Sequence, residues 1–304
     1  MVRSDLISVT LGMVFAAGAG AQQRPPIVGV ANIALKTSDL AAARVFYGKY
    51  LGFEEPFALS KPEGDLGLTY FKVNDHQYIE LLPGLKSETE DRLLRIAFET
   101  TNVQQLLDYL GRRGVTVPER LSTLADGNRS FAIEGPDGHA VEFVEYMPGS
   151  LQARNFGKFL PATRISQRIS HVGFTVSDRA AADRLFRDIL GFHEIWHGGM
   201  KDDGSVDWVA MRVPDGTDHL EYMLNVRNPS PRTLGVMHHL CLGVPSVAAA
   251  YKTLLARGMA IGEPPQIGRD GKWQLNLYDP NLTRTELMEP KPVQKPCCAP
   301  FLDQ

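Results

Sequence analysis

Short runs in which apolar and polar residues alternate, a pattern that predicts β-strands, recur along this chain and are separated by segments with apolar residues at helical spacing. The helical segments are centred on residues 43–51, 103–110, 182–190 and 247–254. In the C-terminal half, strands are predicted at 169–176, 191–196, 208–213, 219–224, 238–244, 259–264, 272–278 and 284–288. The pattern indicates an α+β protein with strands on both sides of each helix.

The two halves of the chain repeat each other. Thr-Ser-Asp at 37–39 and Leu-Gly-Phe at 51–53 return 139 residues later as Val-Ser-Asp at 176–178 and Leu-Gly-Phe at 190–192. The apolar set of the second helical segment, with the glycine that follows it, returns 144 residues later. The glycine of each Leu-Gly-Phe is expected to end its helix in a left-handed conformation. Each half therefore contains two modules of the βαβββ type.

The length and composition suit two soluble domains. The chain has 304 residues, enough for two cores of ordinary size. The repeat predicts a first domain at 22–147, a linker of mixed charge with Gly and Pro at 148–167, a second domain at 168–290 and a tail at 291–304. With a formal net charge of -3, the chain lacks the basic surface of a nucleic-acid-binding protein.

Residues 1–21 have the pattern of a signal peptide. Arg3 precedes an apolar run over 6–17, and small residues lead to Ala21. We therefore expect a mature protein that is periplasmic or secreted. No later stretch reaches the roughly 18 apolar residues of a membrane span.

Three cysteines fit neither a disulfide framework nor a zinc ribbon. Cys241 stands alone, and Cys297 and Cys298 are adjacent near the C-terminus. The adjacent pair can form a vicinal disulfide or bind a soft metal. The proline-rich surroundings favour an ordinary tail without a rigid scaffold.

Paired βαβββ modules with the order strand, Ser-Asp, helix and Leu-Gly-Phe resemble the vicinal oxygen chelate superfamily. Its members include glyoxalase I, methylmalonyl-CoA epimerase, extradiol ring-cleaving dioxygenases and the bleomycin and fosfomycin resistance proteins. The resemblance covers nearly the whole mature chain. It implies that each pair of modules curls its sheets into a cup, with metal ligands on the first and last strand of each module.

Strand alternation identifies four side chains at the ligand positions that the resemblance implies. In each strand the apolar neighbours form the helix-facing set, which leaves His171, Glu221, His239 and Glu286 facing the cup. Two imidazoles and two carboxylates suit one divalent ion, Fe, Ni, Co, Mn or Zn, with positions left for water or substrate. Two carboxylates buried without a cation would be costly. The second domain is therefore predicted to hold one metal ion.

His219 lies two residues before Glu221 and faces the same way, so either residue can be the ligand from that strand. Glu221 is preferred because its neighbours match Ile79-Glu80-Leu81 in the first half. His219 is then predicted to be an acid or base group beside the metal.

The first half departs from the ligand pattern. By the repeat, Asn32 and Arg95 replace the two histidines, while Glu80 and Glu142 remain. Arg95 brings a fixed positive charge that can pair with either carboxylate. The first domain is thus predicted to be a structural partner, although its cup can still take an organic ligand.

The resemblance implies a metal that holds two neighbouring substrate oxygens and stabilises an enolate or similar oxyanion. Four protein ligands favour a lyase or isomerase of the glyoxalase or epimerase type. In that reaction Glu286 or Glu221 moves the proton next to a carbonyl of a small oxygenated molecule. No cluster of basic residues marks a coenzyme A or glutathione pocket. A homo-oligomer is compatible, because paired modules close a cup within one chain or across two.

Two alternatives stay open. An extradiol-type dioxygenase is supported by a metal-free domain followed by a metal-bearing one and by the place of His219. Against it, Asn276 stands where the tyrosine of that branch is expected, with Tyr278 close by. A ligand-binding protein without turnover is the other alternative. The three tryptophans, Trp196, Trp208 and Trp273, either line the cup or, as we favour, fill the core.

Overall fold

A computed structural model describes residues 23–60, 64, 66–226 and 228–302 of the chain. The predicted signal peptide therefore lies outside the described residues. The strands are β1 Ile27–Thr37, β2 Glu54–Ser60, β3 Leu66–Lys72, β4 Tyr78–Pro83, β5 Leu93–Thr100, β6 Ser122–Thr123, β7 Arg129–Glu134, β8 Ala140–Glu145, β9 Ile169–Thr175, β10 His193–Gly198, β11 Trp208–Arg212, β12 His219–Met223, β13 His239–Gly243, β14 Gln266–Ile267, β15 Trp273–Tyr278 and β16 Arg284–Met288. The helices are α1 Leu40–Arg44, α2 Val103–Arg112, α3 Leu151–Arg154, α4 Arg179–Asp183, α5 Pro231–Met237 and α6 Val247–Ala256, with π-helical turns at Val45–Tyr50 and Arg184–Ile189 and a 3-10 turn at Pro136–Gly138.

Each half forms one curled sheet of eight strands. The strand orders are β2-β3-β4-β1-β5-β8-β7-β6 and β10-β11-β12-β9-β13-β16-β15-β14. In every module the first strand pairs parallel with the last, and the two first strands of a half pair antiparallel. The predicted fold, two cups of paired βαβββ modules, is confirmed. Because the first and last strands of both modules lie side by side at the centre of each sheet, the predicted ligand positions meet there.

The repeated sequence motifs begin and end the first helix of each half. The side chains of Asp39 and Asp178 each accept a hydrogen bond of 3.0 Å from the backbone N–H three residues later, which satisfies a free donor at the helix start. Gly52 and Gly191 follow the π-helical turns with φ of 78° and 81°. The left-handed helix ends that the sequence predicts are therefore confirmed.

The two halves share one hydrophobic core. Phe98 of the first half meets Phe192 of the second edge to face, with ring centroids 5.2 Å apart. The Gln77 side chain accepts a hydrogen bond of 2.8 Å from the Ile169 backbone N–H and donates one of 3.1 Å to its carbonyl. These contacts hold the second sheet in a fixed place against the first.

Two segments differ from the sequence prediction in detail. Residues 259–264 do not form a strand, and only the short β14 follows them. Pro264 and Pro265 explain this difference, because proline has no N–H to donate to a neighbouring strand. The predicted linker contains α3 and packs against the first half, where the buried Lys72 ammonium donates to the carbonyls of Asn155 and Lys158 at 2.6 and 3.0 Å. Among the described residues no helix is long and apolar enough to cross a bilayer.

Candidate metal centre

The four central strands of the second sheet, β12, β9, β13 and β16, each carry one predicted ligand. Glu221 and His239 both pair with Gly173 in β9. His171 lies two residues before Gly173, on the same face of β9. Cys241 in β13 pairs with His171 on one side and with Glu286 in β16 on the other. Strand register alone therefore brings the four predicted side chains to one patch of the cup.

The ligand atoms of these four side chains converge closely. The His171 Nε2 atom lies 3.2 Å from His239 Nε2 and 3.3 Å from Glu286 Oε2, and His239 Nε2 lies 3.3 Å from Glu221 Oε2. The two remaining nitrogen–oxygen separations are 3.9 Å and 3.8 Å. Four ligands at about 2.0–2.2 Å from a tetrahedral metal stand about 3.4 Å apart. The donor set thus fits a divalent ion in both chemistry and spacing.

Hydrogen bonding and burial prepare the His239 imidazole as a neutral metal ligand. His239 Nδ1 lies 2.8 Å from the Met237 carbonyl and donates to it, so the lone pair is on Nε2, which faces His171 at 3.2 Å and the Arg284 guanidinium at 2.9 Å. Burial lowers the pKa of His239 to about 3, and the nearby Arg284 adds to the effect. The Nδ1 atom of His171 has no hydrogen-bond partner among the described residues, while its Nε2 faces the cluster.

The two carboxylates carry opposite pKa shifts. Burial raises the pKa of Glu221, and the charge of Glu286 raises it further. Burial also acts to raise the pKa of Glu286, but the hydrogen bond with His171 and the charge of Arg284 lower it below its usual range. Two carboxylates on one buried face repel each other, and a bound cation would relieve that repulsion.

The geometry distinguishes Glu221 from His219. Glu221 joins His171 and His239 in a cluster whose ligand atoms lie within 4.8 Å of one another. His219 instead packs its ring against that of His171, with centroids 4.7 Å apart. Burial and the neighbouring His171 lower the pKa of His219 well below its ordinary value. The structure therefore places His219 beside the cluster as a neutral imidazole.

Arg284 and Cys241 are two neighbours of the cluster that the sequence analysis missed. The Arg284 Nη2 atom lies 2.8 Å from His239 Nδ1 and 2.9 Å from Nε2. The buried Cys241 thiol lies within 4.8 Å of the His171 and Glu286 ligand atoms. Both residues stand two positions from a predicted ligand on the same strand, so alternation alone could have found them.

A small cavity of about 110 Å³ opens above the cluster. Its lining includes the aromatic rings of Trp196, Trp208 and Phe301 and the cations Arg269, Lys272 and Arg284. Trp196 and Trp208 line this cavity and also pack in a small buried apolar cluster, and Trp273 packs against the main core, so the two roles that the sequence set as alternatives are combined. Arg269 and Lys272 lie in the turn before β15 and Arg284 begins β16, so the sequence does not show these cations as one contiguous basic run.

The C-terminal tail supplies part of this cavity wall. Phe301 stacks on Trp196 with centroids 6.1 Å apart, and the Leu302 backbone N–H donates to the Ile195 carbonyl at 2.9 Å. Cys297 and Cys298 form a vicinal disulfide. The prediction of an ordinary tail is therefore wrong, because the disulfide and long-range hydrogen bonds outweigh the local effect of the prolines.

Two residues bear on the dioxygenase alternative, and only one of them faces the cup. Asn276 pairs with Glu286 across the neighbouring strands and faces the cup. Tyr278 is 42% exposed and is not among the residues that line the cavity. Its place therefore gives the dioxygenase alternative no further support.

The first half has an ion-paired cluster at the corresponding place. Arg95 donates from Nε to Glu142 at 2.8 Å and also pairs with Glu80. Burial raises the pKa of Glu80 to about 7 although Arg95 opposes that shift. Asn32 is buried at the position of the first histidine. Arg95 thus pairs with both carboxylates, where the sequence indicated one or the other.

Known proteins resemble this chain in sequence and in fold. A family model described as the Glyoxalase/Bleomycin resistance protein/Dioxygenase superfamily matches residues 29–143 and 168–287. The uncharacterized protein YwbC of Bacillus subtilis (strain 168) is 30% identical over 112 residues, which cover 35% of this chain and 89% of that protein.

Solved structures add to this likeness. The Mn(II)-bound glyoxalase from Novosphingobium aromaticivorans superposes with a TM-score of 0.66 at 19% identity, covering 87% of this chain and 83% of that chain. The 2,3-dioxygenase LapB from Pseudomonas sp. KL28 superposes with a TM-score of 0.67 at 15% identity, covering 90% and 97% of the two chains. Since the family model matches both sheet-forming regions, this chain belongs to the Glyoxalase/Bleomycin resistance protein/Dioxygenase superfamily.

Proposed function

We propose that this protein is a divalent-metal-dependent enzyme that moves a proton next to a carbonyl of a small oxygenated substrate, as a lyase or isomerase of the glyoxalase type. The convergence of two imidazole nitrogens and two carboxylates in one buried patch carries the proposal. His171, Glu221, His239 and Glu286 would hold the ion, which is Fe, Ni, Co, Mn or Zn by the preference of such a donor set. When bound, the metal supplies Lewis-acid polarisation of the substrate oxygens.

Glu221 is the better placed of the two carboxylates to carry the proton. Its side chain is 17% exposed toward the cavity, whereas that of Glu286 is 5% exposed and lies 3.3 Å from His171 Nε2. In this proposal Glu221 accepts the proton from the carbon beside the carbonyl and returns it to the neighbouring atom. Glu286 stays anchored, and His219 orients the substrate from beside His171.

The cavity walls suit a small molecule with negatively charged or strongly polar oxygens. Arg269, Lys272 and Arg284 provide positive charge in the cavity lining. Trp196, Trp208 and Phe301 line the same cavity, with the Lys272 ammonium 4.5 Å from the centre of the Phe301 ring, and apolar surface of this kind strengthens each electrostatic contact beside it.

The metal claim is tested by elemental analysis of protein purified without chelator or affinity metal. The comparison is with the His171→Ala/His239→Ala double variant, whose folding is checked by circular dichroism. We expect the folded variant to contain one equivalent of divalent metal per chain less than the wild type. Equal metal contents in the two proteins would contradict the proposal.

The reaction is tested by deuterium exchange from solvent into the C–H bond beside the carbonyl of small hydroxyketones and 2-oxoaldehydes. The Glu221→Gln variant should lose on the order of 100-fold or more in exchange rate, the usual contribution of a positioned base. His76→Ala, an exposed change in the first half, is the matched control. Exchange that survives unchanged in Glu221→Gln would remove this residue from the proposed role.

A ring-cleaving dioxygenase is the second candidate. It is favoured by the aromatic wall of Trp196, Trp208 and Phe301, which suits a planar ring, and by the packing of His219 on His171. Oxygen uptake with catechols by the Fe(II)-loaded protein, without C–H exchange, would decide for it. Saturable binding of such compounds without either reaction would indicate a ligand-binding protein.

A further inference from the structure

We propose a second metal site at the junction of the two halves, in which Asp91, His139 and His238 hold a divalent ion of the zinc type. It is separate from the cup and does not depend on the function proposed there. Asp91 lies just before β5 and His139 just before β8, both in the first half, and His238 lies just before β13 of the second half. Their ligand atoms all lie within 4.8 Å of one another.

The two histidines face each other closely at this junction. Their ring centroids are 4.7 Å apart with the ring planes nearly perpendicular. His238 Nδ1 lies 2.9 Å from Asp91 Oδ1, and His238 Nε2 lies 2.9 Å from the Thr175 hydroxyl. The contact with Thr175 holds the His238 ring so that Nδ1 points at the carboxylate and at His139.

The hydrogen bonds within this cluster leave one ring nitrogen of His139 without a partner. Its Nε2 atom is buried and has no hydrogen-bond partner in the described part of the chain. In a neutral imidazole this nitrogen can carry the lone pair that a metal ion requires. A buried polar nitrogen without a partner lowers the stability of the folded protein. A cation bound between the three side chains would satisfy that lone pair.

The donor set selects the kind of ion. Two imidazole nitrogens and one carboxylate oxygen suit Zn²⁺ and similar borderline ions, with a fourth position for water. The Asp91 side chain is 31% exposed, which gives an ion access from solvent. His238 and His239 are consecutive in an extended segment, so their side chains point to opposite faces. The junction site and the cup therefore use different ligands.

An ion at this place would tie the two halves together. Asp91 and His139 belong to the first half and His238 to the second. Asp137, two residues before His139, already accepts a hydrogen bond of 2.8 Å from the Ser177 backbone N–H of the second half. We therefore expect zinc to raise the melting temperature through the junction, independently of the cup.

The test is zinc stoichiometry by equilibrium dialysis and elemental analysis of the whole protein. We expect two Zn²⁺ per wild-type chain, one for His139→Ala, one for the His171→Ala/His239→Ala variant and none when all three changes are combined. His139→Ala should weaken zinc binding at the junction about 100-fold or more, since even the loss of an outer partner of a ligand costs 10–100-fold. The control is His76→Ala, which removes an exposed histidine that also contacts a carboxylate.

Asp91→Asn provides a second variant of nearly the same shape, in case His139→Ala does not fold. In both junction variants, zinc should raise the melting temperature only by the amount that binding in the cup produces. If Asp91→Asn and folded His139→Ala bind as much zinc as the wild type, the junction site is wrong. If the wild type binds one ion, and the cup variant alone loses it, the junction site is wrong while the cup assignment stands.

Discussion

Replacement of Gly173 by alanine should weaken metal binding in the cup without removing any ligand. Gly173 is the residue opposite His239 in the neighbouring strand, and the His239 ring lies directly over it. A methyl group at position 173 would lie 2.7 Å from His239 Nε2 and still nearer to Cε1 and Nδ1. The absence of a side chain at residue 173 therefore creates the space for the His239 imidazole.

The required displacement sets the size of the effect. Carbon and nitrogen atoms that are not bonded prefer to lie about 3.5–4.0 Å apart, so the ring must retreat by about 1 Å or more. Metal–ligand distances tolerate only about 0.2 Å of error. We expect the affinity of the cup for metal to fall about 100-fold, as for misplacement of a functional group by 1 Å. Crowding of this kind should also lower the free energy of unfolding by about 1–3 kcal/mol.

The assay is competition between the protein and a chromophoric chelator for Zn²⁺, measured in a His139→Ala background so that the cup alone is read. Gly262→Ala is the matched control, because among the described residues, its chain neighbours aside, no atom lies within 4 Å of a methyl group at that exposed position. We expect Gly262→Ala to bind like the parent. If a folded Gly173→Ala variant binds zinc as tightly as the parent while His239→Ala does not, the His239 ring does not depend on the space above residue 173.

Three further predictions concern the neighbours of the cup and the first half. His219→Ala should keep the cup metal and Glu221→Ala should lose it, as read by elemental analysis; the reverse would make His219 the ligand. Phe301→Ala should speed removal of metal by a chelator, because it opens the cavity wall, whereas Leu302→Ala, at a side chain 63% exposed, should not. Burial raises the pKa of Glu80 from 4.5 to about 7, so the folded protein binds more protons than the unfolded chain between these values. The free energy of unfolding of the wild type should therefore fall relative to that of Glu80→Gln as the pH rises from about 4.5 to 7. Urea titrations at several pH values measure this difference, and a difference that does not change with pH would contradict the pKa shift.

Much of the fold and the central cluster follow from local patterns. The Ser-Asp caps and the glycines after each first helix repeat in sequence and take the same conformations in both halves. Strand alternation has a period of two residues, so the inward face of a strand can be read from its apolar neighbours. His171, Glu221, His239 and Glu286 could be placed on one face for this reason.

The rest depends on contacts between distant segments, which periodicity does not report. Phe301 reaches the cavity wall from the tail, more than 100 residues after Trp196, on which it stacks. The junction cluster is equally distant in sequence, because His139 and His238 come from different halves. The conformation of the tail depends on a disulfide and on backbone hydrogen bonds to remote loops, and not on its proline-rich composition.

The two cups differ chiefly in how their paired carboxylates are neutralised. Both halves keep a glutamate on the last strand of each module, so each cup contains two carboxylates in a buried place. In the first half one guanidinium lies between them and pairs with both, which leaves no need for a cation. In the second half Arg284 lies against His239 and forms no ion pair with either carboxylate among the described residues. Their charge is therefore only partly compensated by this chain, and two imidazoles converge with them at the same point, which is a donor set that a divalent ion prefers.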